Sequence, residues 1–382
     1  MLRFLFFLLL IFSLACYFPH SSANAQVINP GMMDTTDIDI KGKLSINGYV
    51  DAYYAYDLSN PRNNERPYFV SMARHNEFTV NLAYLDIRYS ASRVRARFVP
   101  GFGTYINANY VTEPGALKNI IEGYAGFRPF ANKQIWIDMG VFGSPYTNES
   151  AISKDHLVYT RSFAPEYVPY YLSGIKVSIP INAKWAAYLY VLNGWQLIQD
   201  NNADKSIGTQ VEFRPGNRWL INWNTYVGNE QSAARPTFRN RYFSDLFVIY
   251  NPAGRFSATA CAYLGIQENV DTLTNNVQNR TWWTANLMGR YKLSDQHSVS
   301  GRVEYFEDLE GVQIAPITTT QTGFTGFNSS SASLCYNYAA NNNMLFRVEA
   351  RHFFSPRNMY LDERLNPANS STMLITNITV WF

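Results

Sequence analysis

The chain has 382 residues and is 47% hydrophobic, 16% charged and 16% aromatic, with a formal net charge of +3 and a mean hydropathy of −0.21. Charge falls below the roughly 25% of an average soluble domain, no apolar run long enough for a transmembrane helix follows the N-terminus, and the aromatic content excludes a disordered chain. The net charge is too small to argue for nucleic acid, and Cys16, Cys261 and Cys335 form neither a CxxC pair nor a cluster with histidines, so no metal and no cofactor is expected.

Residues 1–25 read as a secretory signal. Arg3 supplies the positive start, 5–15 the apolar stretch, and Ala23-Asn24-Ala25 the cleavage site, leaving Gln26 first. A lipoprotein reading through Cys16 is disfavoured by Ser13, where such sites usually carry a large aliphatic residue. Residues 26–42 are polar and aperiodic, a flexible periplasmic lead-in. From 43 onward the pattern alternates with period two, the signature of strands. It predicts sixteen of them: 43–57, 76–90, 93–109, 118–131, 134–142, 169–181, 184–195, 204–214, 219–229, 240–250, 255–266, 280–293, 298–308, 321–338, 343–353 and 371–382. The connections alternate between short turns, such as 215–218 (PGNR) and 251–254 (NPAG), and long loops rich in Asn, Pro, Ser and Gly.

Within the strands the charges keep one parity. Arg93, Arg95 and Arg97 oppose Val94, Ala96 and Phe98; Glu212 and Arg214 oppose Val211 and Phe213; Arg302 and Glu304 oppose Val303 and Tyr305; Arg347, Glu349 and Arg351 oppose Val348 and Ala350. A soluble sandwich would hide the apolar face in a core. Strands of uniform length, with turns alternately short and long, instead fit an all-β, transmembrane, antiparallel up-and-down barrel over 43–382, with short periplasmic turns and long outer loops. In lipid every backbone N–H and C=O must pair within the protein, so a spanning sheet has to close. Aromatics near predicted strand ends are expected to form two interfacial girdles: Tyr53, Tyr54, Tyr56, Trp282 and Trp283 outside; Phe127, Trp185, Trp219, Tyr250 and Tyr291 inside. The terminal Phe382 closes an alternating strand in the manner of the signal read by the barrel-assembly machinery.

Several stretches resemble the putative β-barrel porin-2, or OmpL-like, family of outer-membrane proteins: 48–54 (GYVDAYY), 159–163 (YTRSF), 192–199 (LNGWQLIQ), 201–206 (NNADKS), 302–311 (RVEYFEDLEG) and 347–351 (RVEAR), in family order. Residues 159–161 depart mildly, since the family carries Ser or Asn before the Arg. The resemblance implies an outer-membrane porin and transfers no catalytic residue.

Loop 143–168 is the longest. It is expected to fold inward and narrow the pore, with Glu149, Lys154, Asp155, His156, Arg161 and Glu166 setting a transverse field and Arg161 biasing ion preference; a solvated surface lid is the plainer alternative. Arg93, Arg95, Arg97, Arg214, Arg302, Arg347 and Arg351 are expected to line the lumen with Glu122, Glu212, Glu304 and Glu349, either attracting anions or pairing in cross-strand ladders that stiffen the wall. Two function classes remain: a porin for passive diffusion of small hydrophilic solutes, and a structural or adhesion barrel with a plugged lumen acting through its outer loops. A lumen filled by large aromatics would favour the second. An enzyme is disfavoured, because neither GxSxG nor HExxH occurs. Outer-membrane lipid, solutes and a second copy of the chain are the partners this reading allows.

Overall fold

The alternation is realised as a closed sheet. The computed structural model describes residues 42–61, 63–317 and 326–382; the signal segment, residues 26–41 of the lead-in and the predicted start of the fourteenth strand at 321–325 lie outside them. The wall is made of β1 (Lys43–Asp57), β2 (Phe78–Ser90), β3 (Val94–Phe102), β4 (Ile120–Phe127), β5 (Trp136–Gly143), β6 (Tyr171–Pro180), β7 (Trp185–Leu192), β8 (Ser206–Phe213), β9 (Trp219–Asn229), β10 (Phe238–Tyr250), β11 (Phe256–Val270), β12 (Val277–Lys292), β13 (His297–Asp308), β14 (Phe327–Asn341), β15 (Met344–Phe354) and β18 (Ser370–Trp381). A short hairpin, β16 (Tyr360–Leu361) and β17 (Pro367–Ala368), decorates the last outer loop. Each wall strand pairs antiparallel with its sequence neighbours, and β1 pairs with β18 to close the ring.

Closure is completed by the last residue. Gly48 N–H donates to the Phe382 carbonyl at 2.9 Å and Phe382 N–H returns a bond to Gly48 at 3.1 Å. The Phe382 ring lies over Gly48, where a Cβ would collide with it. A second glycine requirement sits in the wall. Gly140 and Gly174 are register partners across β5 and β6, with φ of +136° and +152°. A Cβ at either would strike the backbone of the adjoining strand, so only glycine permits this close approach.

The two faces divide as period two requires. Arg302, Glu304, Arg347, Glu349, Asn377 and Thr379 are buried inside, whereas Val303 is 56% exposed on the outside, with Val94, Val348 and Val380 similarly placed. Aromatic side chains bracket the outward apolar belt: Tyr242 and Tyr250 on β10, Trp283 and Tyr291 on β12. Each pair is eight residues apart, about 26 Å along a strand, close to the roughly 25 Å lipid-facing band of such barrels. Tyr53 and Trp282 leave the predicted girdle, because their parity turns them inward, where both are buried.

Strand lengths are not uniform. β3 to β8 have 8 to 10 residues, but β10 to β14 have 12 to 16. The predicted third strand stops at Phe102. The next stretch forms a short helix, α1 (Thr104–Asn109), because Tyr105, Ile106 and Asn109 fall on one helical side and pack inward; Asn109 also donates to the Tyr105 hydroxyl at 3.0 Å. In the outer half the lumen holds an aromatic core. Tyr146, Phe163, Tyr226, Phe243, Tyr263, Trp282, Phe306, Phe327 and Phe353 are buried there, joined by Tyr68 and Phe69 of the first outer loop and Val312 and Ile314 of the seventh. Cys261 and Cys335 are free and buried.

The topology makes a direct prediction. Val348→Arg, facing lipid near mid-strand, should destabilise the barrel by about 2–4 kcal/mol, read by urea unfolding in phospholipid vesicles, while Leu44→Lys, at the exposed end of β1, should be tolerated.

Candidate functional site

The loop between β5 and β6 runs across the lumen. Its residues contact the wall in turn. Thr147 N–H donates to Asp245 on β10 at 2.6 Å, and Asn148 donates to Thr259 on β11 and Asn286 on β12, both at 2.9 Å. Ser153 N–H donates to the Tyr49 hydroxyl on β1 at 3.0 Å, and Arg347 on β15 donates to the Ser153 carbonyl at 2.7 Å. A short helix, α2 (Phe163–Glu166), ends the crossing. Its Glu166 accepts from Val70 N–H at 2.7 Å and the Tyr170 hydroxyl at 3.0 Å, tying the first outer loop to the inward one; burial holds its carboxyl above the usual range.

The loop is gripped at 160–163 by four charges on two wall strands. Arg302 lies 3.2 Å from both Glu304 and Glu349, and Arg351 pairs with Glu304. These four side chains are fully buried and sum to zero charge. Thr160 occupies the centre. Its N–H and hydroxyl each donate to Glu349 at 2.7 Å, and its carbonyl accepts from Arg302 at 2.6 Å. Phe163 N–H donates to Glu304 at 2.6 Å, and Arg351 donates to the Arg161 carbonyl at 2.8 Å while its guanidinium stacks on Phe69, Phe163 and Phe353. Ions buried this completely are costly unless their remaining hydrogen-bonding groups are satisfied; the loop backbone, the Thr160 hydroxyl and Ser331 satisfy most of them, while Arg302 Nε faces Glu304 without a hydrogen bond.

The opposite wall is different. Arg95 makes a two-pronged bond to Asp138 at 2.7 and 2.6 Å, with Lys176 on the same carboxylate at 3.4 Å. Arg97 does the same to Asp86 at 2.9 and 2.8 Å and reaches Glu122 at 2.7 Å; Arg88 shares Asp86. The side chains of Arg95, Arg97 and Lys176 keep 15–16% exposure, against zero for the four charges across the barrel. Four cations (Arg88, Arg95, Arg97, Lys176) face three carboxylates (Asp86, Glu122, Asp138).

The inward-pointing residues named from sequence therefore separate into groups. Arg95, Arg97 and Glu122 stand on the partly open wall, with Glu212 and Arg214 paired at 3.1 Å at the inner end of β8. Arg302, Glu304, Arg347, Glu349 and Arg351 hold the loop. Arg93 stands in the turn before β3, exposed, and donates to the Pro129 carbonyl at 2.9 Å, so it belongs to the rim. In the loop, Arg161 is buried and donates only to backbone carbonyls, those of Ser150, Ala151 and Tyr159; it closes the loop on itself instead of presenting charge. Lys154 pairs with Asp155 at 2.9 Å. His156 accepts from Ser150 N–H at 3.2 Å, and burial, with Arg161 and Arg347 nearby, pushes its imidazole well below the usual range. Glu149 uses one carboxylate oxygen to accept from Ser162 N–H at 2.9 Å; the other has no partner. Sequence reasoning missed Asp138, Lys176 and Asp86. Their signal was present, since each keeps the polar parity of its strand.

A family model described as putative beta-barrel porin-2, OmpL-like, matches residues 43–382. The chain belongs to this family. The OmpL-like family accounts for the closed wall, and with it an outer-membrane porin role. Solved structures carry the same fold at low identity. The outer-membrane channel DcaP of Acinetobacter baumannii aligns with a TM-score of 0.61 at 10% identity, covering 89% of this chain and 97% of that one. An anion-selective porin from Comamonas acidovorans gives 0.59 at 10%, covering 89% and 100%. A loop-deleted OmpT of Vibrio cholerae gives 0.57 at 9%, covering 90% and 100%. No curated protein matches the sequence.

The grip on the loop is testable by a mutant cycle. Glu349→Ala leaves Glu304 as the one carboxylate between Arg302 and Arg351 and strands the Thr160 N–H, and should destabilise the protein by roughly 3–5 kcal/mol. Arg302→Met with Glu349→Leu should be milder than the sum of the two single changes. Denaturant unfolding in detergent, with protease sensitivity of the loop as a local readout, measures both.

Proposed function

We propose that this OmpL-like barrel is a non-enzymatic porin for passive diffusion of small hydrophilic solutes, whose route passes between the inward loop and the β3–β6 wall. One observation carries the reading: charged side chains on that wall retain exposure, while the equivalent charges on β13 and β15 have none. Charges at a constriction act strongly because little water or salt screens them, so Arg95, Arg97 and Lys176 are the groups proposed to set selectivity, with Glu149, Lys154 and Asp155 on the loop side. The proposal includes export with cleavage before Gln26, insertion guided by Phe382, and assembly with further copies of the chain; the OmpT of Vibrio cholerae is described in a trimer form.

A second reading, a plugged barrel acting through its loops, draws on the aromatic core in the outer half of the lumen. The two readings predict different currents. Shortening the loop between Tyr146 and Pro165 should raise single-channel conductance in planar bilayers and admit larger solutes, and Arg97→Gln should shift ion preference toward cations. A plugged barrel gives no current in the wild type.

Removal of Trp381 and Phe382 should lower the amount of barrel inserted in cells and also costs the closing bonds to Gly48, so Phe382→Ala, which keeps that backbone, should lower insertion with a smaller loss of thermal stability in refolded protein. Normal insertion would count against the role given to Phe382.

A further inference from the structure

Three cavities follow the inward loop, and Glu149 lines all of them. The first, of about 40 Å³, lies toward β4 and β5 with Glu122 and Tyr146. The second, of about 30 Å³, passes Tyr146, Asn148 and His156. The third, of about 150 Å³, opens between the loop and β10–β12 on the short-turn side, lined among others by Lys154, Asp155, Tyr250 and Arg290. At about 30 Å³ per water it holds on the order of five waters, the scale of a solute of roughly six or seven non-hydrogen atoms.

Two residues of opposite charge line it and neither makes an ion pair among the described residues, Arg302 and Arg161 being the cations that act on Glu149 from a longer range. The buried Glu149 keeps one carboxylate oxygen without a hydrogen-bond partner, and among the described residues it makes no ion pair. Arg290, inward-facing on β12 two residues before its inner end, has an unpartnered buried Nε and likewise no carboxylate in ion-pair range among the described residues. The other charges on this cavity, Lys154 and Asp155, already neutralise each other at 2.9 Å. A buried ionic group without a partner is costly, and here two of opposite sign face one small polar space.

We infer that this cavity is a binding subsite for small zwitterions of amino-acid size, the ligand ammonium on Glu149 and its carboxylate on Arg290. The inference deepens the porin reading and rests on it for transport, not for binding. A ligand bearing both charges supplies both missing counter-ions at once, whereas an anion or cation of the same size leaves one end uncompensated. A guanidinium suits a carboxylate through two parallel N–H donors, and a carboxylate oxygen suits an ammonium through one.

The experiment uses the full barrel refolded in detergent, with L-serine and γ-aminobutyrate as zwitterionic probes, lactate as the anion and lactamide as the neutral control. Calorimetric titration should show the zwitterions binding at least about tenfold tighter than either control. Glu149→Gln keeps an oxygen for Ser162 and should fold; it and Arg290→Met should each reduce the preference to within about twofold. Equal binding of all four probes by the wild type, or a preference that survives both substitutions, overturns the inference. Swelling of vesicles in lactamide tests the porin reading separately, since a barrel that binds zwitterions yet passes no lactamide would retain the subsite and lose the channel.

Discussion

Everything here depends on backbone pairing in a medium that offers no hydrogen bonds. A sheet edge in lipid would leave a row of N–H and C=O groups unsatisfied, at several kcal/mol each. The register from Tyr49↔Trp381 to Asp57↔Met373 removes that edge, and the reciprocal Gly48–Phe382 bonds carry it to the final residue. Once the ring is closed, each inward position faces a confined space lined by the others. That is why a chain with so few charges can afford to bury many of them.

The interior resolves its electrostatics by local cancellation. On β13 and β15 two arginines meet two glutamates, and most of their leftover donors and acceptors are met by 160–163. On β2 to β6 the cancellation is similar, but solvent completes it. The same residue types thus act as an anchor on one side and as a lining on the other. What differs is whether a segment of chain covers them.

This distinction marks the limit of sequence reading. Period two revealed the strands, the parity of Arg302, Glu304, Arg347 and Glu349, and the general expectation of cross-strand Arg–Glu ladders, of which Arg97–Glu122 is one, because each depends on neighbours in one or two strands. Parity also carried the correct orientation of Tyr53 and Trp282, but their position near strand ends outweighed it. Arg161 could not be read: its partners are backbone carbonyls at Ser150, Ala151 and Tyr159, and no pattern of residue types records where a loop carbonyl points. Helix α1 was hidden because Tyr and Ile suit strands as well as helices, and two helical turns are too short for a period to emerge.

The uneven wall has a mechanical consequence. On β12 six residues separate Val277 from Trp283, so the strand continues roughly 20 Å beyond the outer aromatic row along its own direction. Its neighbour β11 remains paired with it over all of that distance, as far as Val270↔Val277, whereas the β13 ladder stops at Trp283↔Glu307, making a stiff parapet on that part of the rim. From β3 to β8 the strands stop early, and the rim is raised by loop and short helix instead. Deformation of the mouth is therefore directional: the parapet resists bending through its ladders, and compliance is concentrated above the wall that carries Arg95, Arg97 and Lys176.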